Sequence, residues 1–364
     1  MNEHDSDDFD IFGDDEAGER PRRKRISTRK KVIAFILVPI FVLAGVVVGG
    51  ALIFQHRIDS LIERFENPFA SLPDRPTVPK EIDEAEGDKP VNILILGSDS
   101  RISAGDPSQW SAGAQRTDAI MIAHLDADRE AASVMSIPRD TWVDIPGRGQ
   151  HKINAAFSFG GPALMVQTVE QLTGIRIDHV VIADFESFAA VTDALGGVNI
   201  TLRSPLVVGG QTIQPGNQRL TGDQALRYVR ERKNLAGGDF SRVQRQQNWI
   251  RSIMREVFDK NILTDFGSLT NFVETVAASI AVDEEFTIGE MRDLLYSARN
   301  LRPGGVHFFT MPHLGSARSS DGQSIVLLDD EKAPEVFNAI AHDEITTYLS
   351  DNPDVGARLP AQPE

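Results

Sequence analysis

From Val32 to Phe54 the chain runs 23 residues without a charge, VIAFILVPIFVLAGVVVGGALIF. As a helix that run would reach about 35 Å, enough to cross a bilayer core of about 30 Å. Pro39, Gly45, Gly49 and Gly50 are tolerated in a membrane helix. A cleaved signal peptide would carry an apolar region of about 7–15 residues ending in a small-x-small site. Here the run is longer and passes into FQHRID, so the sequence predicts an uncleaved transmembrane helix over 32–54. Eight Arg and Lys residues in RPRRKRISTRKK (20–31) flank it on one side. That flank predicts a cytoplasmic N-terminus and an extracellular remainder, a single pass through the lipid bilayer.

Residues 1–31 read as a disordered cytoplasmic tail, acidic to residue 19 and basic after it. Residues 55–90 are polar, with prolines at 68, 73, 76, 79 and 90, and read as an extracellular spacer. Ordered structure is expected over 91–350, with 351–364 a flexible tail. The absence of cysteine excludes disulfides, thiol nucleophiles and thiolate metal sites.

Short β-branched runs predict strands at VNILILG (91–97), AIMIAHL (119–125), ASVMSI (132–137), HVVIADF (179–185), VNITL (198–202) and VHFFTM (306–311). Helical spacing predicts helices over 162–174, 186–197, from Asp239 past Val257, and near 288–299 and 331–348. Thr221 with Gln224 forms a capping box for a further helix carrying Arg227 and Arg230. This mixture points to one α/β (α+β) domain, a central mixed β-sheet flanked by helices, preceded by the transmembrane helix.

The chain is acidic, with a formal charge of -16, yet Thr221–Glu256 holds eight basic side chains, all but Lys233 arginines. Guanidinium forks suit bidentate contact with phosphate oxygens. If the first three strands form an antiparallel meander, Asp99, Asp118 and Arg139 arrive at one sheet edge. Two carboxylates there, beside arginines and a phosphate, could hold a hard dication such as Mg²⁺. The plainer reading makes Asp99 a turn cap and Asp118 a strand start. Lys152, in a loop before the first long helix, could reach the same edge. On the helix after Asp239, Val243, Ile250, Met254 and Val257 form an apolar stripe. Gln246 falls inside it and Arg242 on its border, which marks both as site residues. Arg251 and Arg255 read as solvated, and Arg245 fits either environment.

No HExxH, GxSxG or Walker A motif occurs, so triad hydrolase and P-loop readings have no support. The segments VNILILGSDSR, QRTDAIMIAHLD, SVMSIPRDTWVDIPG, HKINAAFSFGGP, ALGGVNI, LTGDQALRYVRERK and GDFSRVQRQQ, in that order, resemble the LytR-CpsA-Psr family of membrane-anchored cell-wall enzymes. The resemblance implies a phosphotransferase that moves a glycopolymer from a polyprenyl diphosphate carrier to peptidoglycan, with Mg²⁺ as cofactor and Mn²⁺ as the second candidate. It implies Asp99 and Asp118 as metal ligands, and Arg116, Arg139, Lys152, Arg230, Arg232, Arg242 and Gln246 around the diphosphate. Asp99 and the arginines at 139, 230, 232 and 242 would then act in catalysis. Asp239 would orient the arginines, and the lipid tail would lie in an apolar tunnel. Ser241 stands where relatives often carry glycine. The alternatives are a non-catalytic polyprenyl-phosphate receptor and an envelope regulator. Nucleic acid is not an expected partner, because residues 20–31 are too short for a folded DNA-binding module.

Overall fold

Three antiparallel strands run through the middle of one mixed sheet. The structure is a computed structural model, and it describes residue 50 and residues 53–98, 117–231, 239–259 and 266–360. The sheet's strands are β1 (Glu63–Phe65), β2 (Val91–Ser98), β3 (Thr117–Leu125), β4 (Ala132–Ser136), β5 (His179–Asp184), β6 (Ile280–Asp283), β7 (Val306–Thr310) and β8 (Ala357–Arg358). Their spatial order is β1-β6-β5-β2-β3-β4-β7-β8. β2, β3 and β4 form the expected meander. β5 lies parallel to β2 and β7 parallel to β4.

Alternation along the central strands divides the core into two layers, because successive side chains face opposite sides of a sheet. Leu94, Leu96, Ile120 and Ile122 face one layer. There they meet helix α1 (Ala155–Thr173) through Met165, Val166 and Val169, and helix α6 (Lys332–Ala341) through Val336 and Ile340. Ala119 and Met121 face the other layer. It holds α2 (Phe185–Ala194), α3 (Gly222–Arg230), α4 (Asp239–Asp259) and α5 (Phe266–Ala277). Trp249 and Ile253 of α4 are buried in that layer.

α3 starts at the predicted capping box, with Thr221 and Gln224 each bonding the other's backbone. α1 begins before its predicted start and breaks at Gly160 and Gly161, where Gly161 takes φ 64. Pro162 then opens the segment that the periodicity marks. The predicted helix near 331–348 is two helices, α6 and α7 (Ile345–Asp351). Asp343 separates them in a left-handed conformation, φ 61.

Two expectations need correction. The spacer 55–90 is built into the domain: β1 pairs with β6, and Phe65 and Phe69 are core residues. Arg75 binds both oxygens of the buried Glu170 side chain and covers the Phe69 ring at 4.3 Å. The tail is also tied down as far as Pro360. β8 pairs with β7, and the Leu359 amide donates to the Phe308 carbonyl at 2.9 Å. The spacer does carry an apolar signal, Ile58, Ile62 and Phe65 at helical spacing and all buried, which its prolines and charges outweigh; the tail carries none. The predicted span 32–54 lies almost wholly outside the described residues. Among the described residues no helix is long and apolar enough to cross a membrane.

Candidate active site

A β-bulge opens the site where β2 ends and β3 begins. Gly97 pairs with Ala119 but Ser98 pairs with Thr117, which leaves Asp118 as the extra residue. Regular alternation would put Asp118 on the face of Ile120 and Ile122. The bulge re-aims it instead, and α4, packed on the other face, reaches it. Arg139 Nη1 donates to Asp118 Oδ1. Arg242 Nη1 lies 3.7 Å from the same oxygen, and Arg242 Nη2 donates to the Asp118 carbonyl at 3.4 Å. Asp118 is 7% exposed and Arg242 2%.

Local structure holds each of these cations. The Pro138 carbonyl accepts from the Thr141 amide at 3.0 Å and the Thr141 hydroxyl at 2.6 Å, fixing the turn that presents Arg139. The Asn154 amide donates to the Arg139 carbonyl at 3.2 Å. Gln247 of α4 donates to Ser136 Oγ at 2.7 Å and to the Phe309 carbonyl at 2.8 Å. Trp249 donates to Thr192 at 2.8 Å. Phe240, in the first turn of α4, stacks on His313 at 4.2 Å, and burial pushes the His313 imidazole below its ordinary pKa. Gln246 stands one turn beyond Arg242, buried, and its Oε1 has no hydrogen-bond partner among the described residues. Such an acceptor costs about 1–3 kcal/mol unless something fills the gap.

Lys152 ends a hairpin strand (Gly149–Lys152) and is not in a loop. Its Nζ sits 3.1 Å from Asp140 Oδ1, next to Arg139 in the chain. Arg230 closes α3, half-buried. Arg245 is buried over the Tyr228 ring at 4.5 Å and donates to the Tyr228 carbonyl at 3.1 Å, so it joins α4 to α3. Burial pushes the Tyr228 phenol up. Arg251 is not the solvated residue that the helical stripe suggests. It is half-buried and donates to Asn248 at 2.7 Å and to the Pro360 carbonyl at 3.0 Å. Burial, with Arg255 close by, lowers its pKa to about 10. Arg255 is exposed, as expected.

Asp99, Arg116 and Arg232 lie outside the described residues, as does the side chain of Asp239. The same sheet end carries polar residues that the sequence does not single out. Thr117 is fully buried, and Asp184, 6% exposed, ends β5 in register with Ser98. Only the parallel pairing of β5 with β2 brings Asp184 there, and no local signal announces that pairing.

A model of the LytR_cpsA_psr family matches residues 67–342. The chain is 29% identical over 341 residues to the polyisoprenyl-teichoic acid–peptidoglycan teichoic acid transferase TagU of Oceanobacillus iheyensis, covering 91% of this chain and 99% of that one. It is 34% identical over 260 residues to the probable cell wall biosynthesis protein LcpB of Corynebacterium glutamicum, covering 69% of this chain and 61% of that one. The fold is similar to that of TagT bound to LIIa-WTA, with TM-score 0.57 and 26% identity over 74% of this chain and 96% of that one.

Proposed function

The chain belongs to the LytR-CpsA-Psr family, and from that premise we propose that it moves a wall glycopolymer from a polyprenyl diphosphate carrier onto peptidoglycan, anchored in the cell membrane with its domain outside. The TagU relative, a teichoic acid transferase acting on peptidoglycan, supports the reaction class. The observation that carries the reading is the buried meeting of Arg139 and Arg242 on Asp118. Phosphoryl transfer needs placement and charge neutralisation more than a protein nucleophile, and two fixed guanidiniums supply both.

In the proposed step a peptidoglycan hydroxyl attacks the phosphorus joined to the sugar. A new P–O bond forms, the anhydride P–O bond breaks, and polyprenyl phosphate leaves with the bonding pair. The hydroxyl proton passes to a carboxylate, Asp99 by its place directly after β2. Arg139 and Arg242 bind the charge gathering on the leaving phosphate. Gln246 orients a phosphate oxygen or the sugar through its carboxamide. Arg116, Arg230, Arg232 and Lys152 complete the cationic wall. Water in place of the sugar hydroxyl would give a pyrophosphatase side activity.

Asp118 offers a hard carboxylate of the kind that Mg²⁺ or Mn²⁺ takes, which supports that ion as the cofactor. Asp118 would hold it, with Asp99 as the second ligand if another group takes the hydroxyl proton, and it would neutralise charge on the phosphate oxygens.

The test uses full-length protein with carrier-linked polymer and peptidoglycan. Polyprenyl phosphate is expected to appear in step with wall-linked polymer, and Arg242→Ala should slow both by about 10²-fold or more. Carrier binding without release would instead make the protein a receptor.

A further inference from the structure

β3 carries a second polar cluster at its other end, about 20 Å from Asp118 along the strand. His124, Asp126 and Asp343 each offer a ligand atom there, all within 4.8 Å of one another. The His124 side chain is fully buried, Asp126 is 10% exposed and Asp343 20%.

The hydrogen bonds decide where the protons are. Asn92 Nδ2 donates to the Arg176 carbonyl at 2.9 Å, which turns Asn92 Oδ1 toward His124. His124 Nδ1 must therefore donate to that oxygen, 2.7 Å away. In a neutral ring Nε2 is then a lone pair, yet it faces Asp343 Oδ1 at 3.0 Å and Asp126 Oδ1 at 3.6 Å. Three acceptors in a closed pocket need a cation among them, a metal ion or a second ring proton. Asp126 Oδ1 is buried with no hydrogen-bond partner among the described residues, while Oδ2 accepts from Thr346 at 2.7 Å. Asp343 is held in its left-handed conformation by the Ala127 amide, 3.3 and 3.2 Å from its two oxygens. Such strain persists only where the surroundings over-determine it.

We propose that His124, Asp126 and Asp343 form a binding site for a divalent transition metal, zinc by its ligand set, separate from the diphosphate site. One imidazole and two carboxylates suit Zn²⁺, with water in the fourth position, and not Mg²⁺, which takes oxygen ligands. Bonds of about 2.0–2.2 Å at tetrahedral angles put ligand atoms about 3.3–3.6 Å apart, close to the separations of the Nε2 contacts. Asn92, Thr346 and the Ala127 amide orient one ligand each, the arrangement that tunes metal sites. The ion ties the β3–β4 turn to the break between α6 and α7.

Full-length protein is stripped with a chelator and titrated with Co²⁺ alone, then with Zn²⁺. One equivalent of Co²⁺ is expected to give the visible absorption of low-coordinate cobalt. Zn²⁺ should displace it, excess Mg²⁺ should not, and saturating Zn²⁺ should raise Tm by about 5 °C. Asp343→Asn, which keeps the shape and suits left-handed backbone, should lose the band and the Zn²⁺-dependent rise while unfolding near the wild-type apo Tm. Asp126→Asn should do the same. The proposal is overturned if wild type shows neither band nor Tm shift, which leaves a second ring proton between the carboxylates. Displacement by Mg²⁺, or a response that survives both substitutions, overturns it as well.

Discussion

Gln246 sets function against stability more sharply than any other side chain of the site. Its buried Oε1 has no hydrogen-bond partner among the described residues, so Gln246→Leu should hold or raise stability by up to about 1–3 kcal/mol while lowering transfer. Urea unfolding and a transfer assay on the same variant check this. Lost stability with full activity would make the carboxamide a structural group. Asp118 works the other way. Removing Arg242 leaves a buried carboxylate short of a cation, and Arg242→Ala should cost about 3–5 kcal/mol. Asp118→Asn added to it should return part of that loss, measured as a double-mutant cycle. At this scale the joining of Asp118, Arg139 and Arg242 followed from strand order and helical phase. The bulge that aims Asp118 did not, because an extra residue in a ladder leaves no mark on an apolar run. Arg251 departs from its helical phase for a related reason. Helical phase places a side chain on a face of its own helix but says nothing of Pro360, which arrives from the far end of the chain.

Elements far from the site carry much of the domain's stability. Glu170 of α1, 3% exposed, holds Arg75 through paired hydrogen bonds and accepts from the Ile177 amide at 2.9 Å. Glu170→Ala should therefore cost about 3–5 kcal/mol, and a chain starting at Val91 should unfold at lower urea than one starting at Gln55. Equal midpoints would return 55–90 to the role of spacer. Long elements were legible: the meander, α3 with its cap, and α4 follow from periodicity and capping residues. β1, β8 and the break at Asp343 were not, since strands of two or three residues show no period and nothing local marks Asp343 as left-handed. The pH response belongs here too. Burial lowers the pKa of His313 against α4 and of His307 in β7, where Arg358 of β8 lowers it further. The unfolded chain therefore takes up these protons first as pH falls. Their contribution is complete above about pH 7 and is lost as pH drops through 6.5 toward the folded values. Unfolding midpoints at pH 7.5 and 5.5 should differ less in His307→Asn/His313→Gln than in wild type.

Across the whole molecule, one strand joins two polar ends. At one end β3 delivers Asp118 to two arginines, and at the other it delivers His124 to two carboxylates. Two helical layers bury the strand between them, so the ends stay apart. The proposed transfer requires the first end to receive the carrier's diphosphate. A crystal structure of the full-length protein with a polyprenyl diphosphate and Mg²⁺ tests that directly. Phosphate oxygens are expected within hydrogen-bond reach of both Arg139 and Arg242, with the lipid chain leading away between sheet and helices. A headgroup bound elsewhere, with Asp118, Arg139 and Arg242 untouched, would contradict the account.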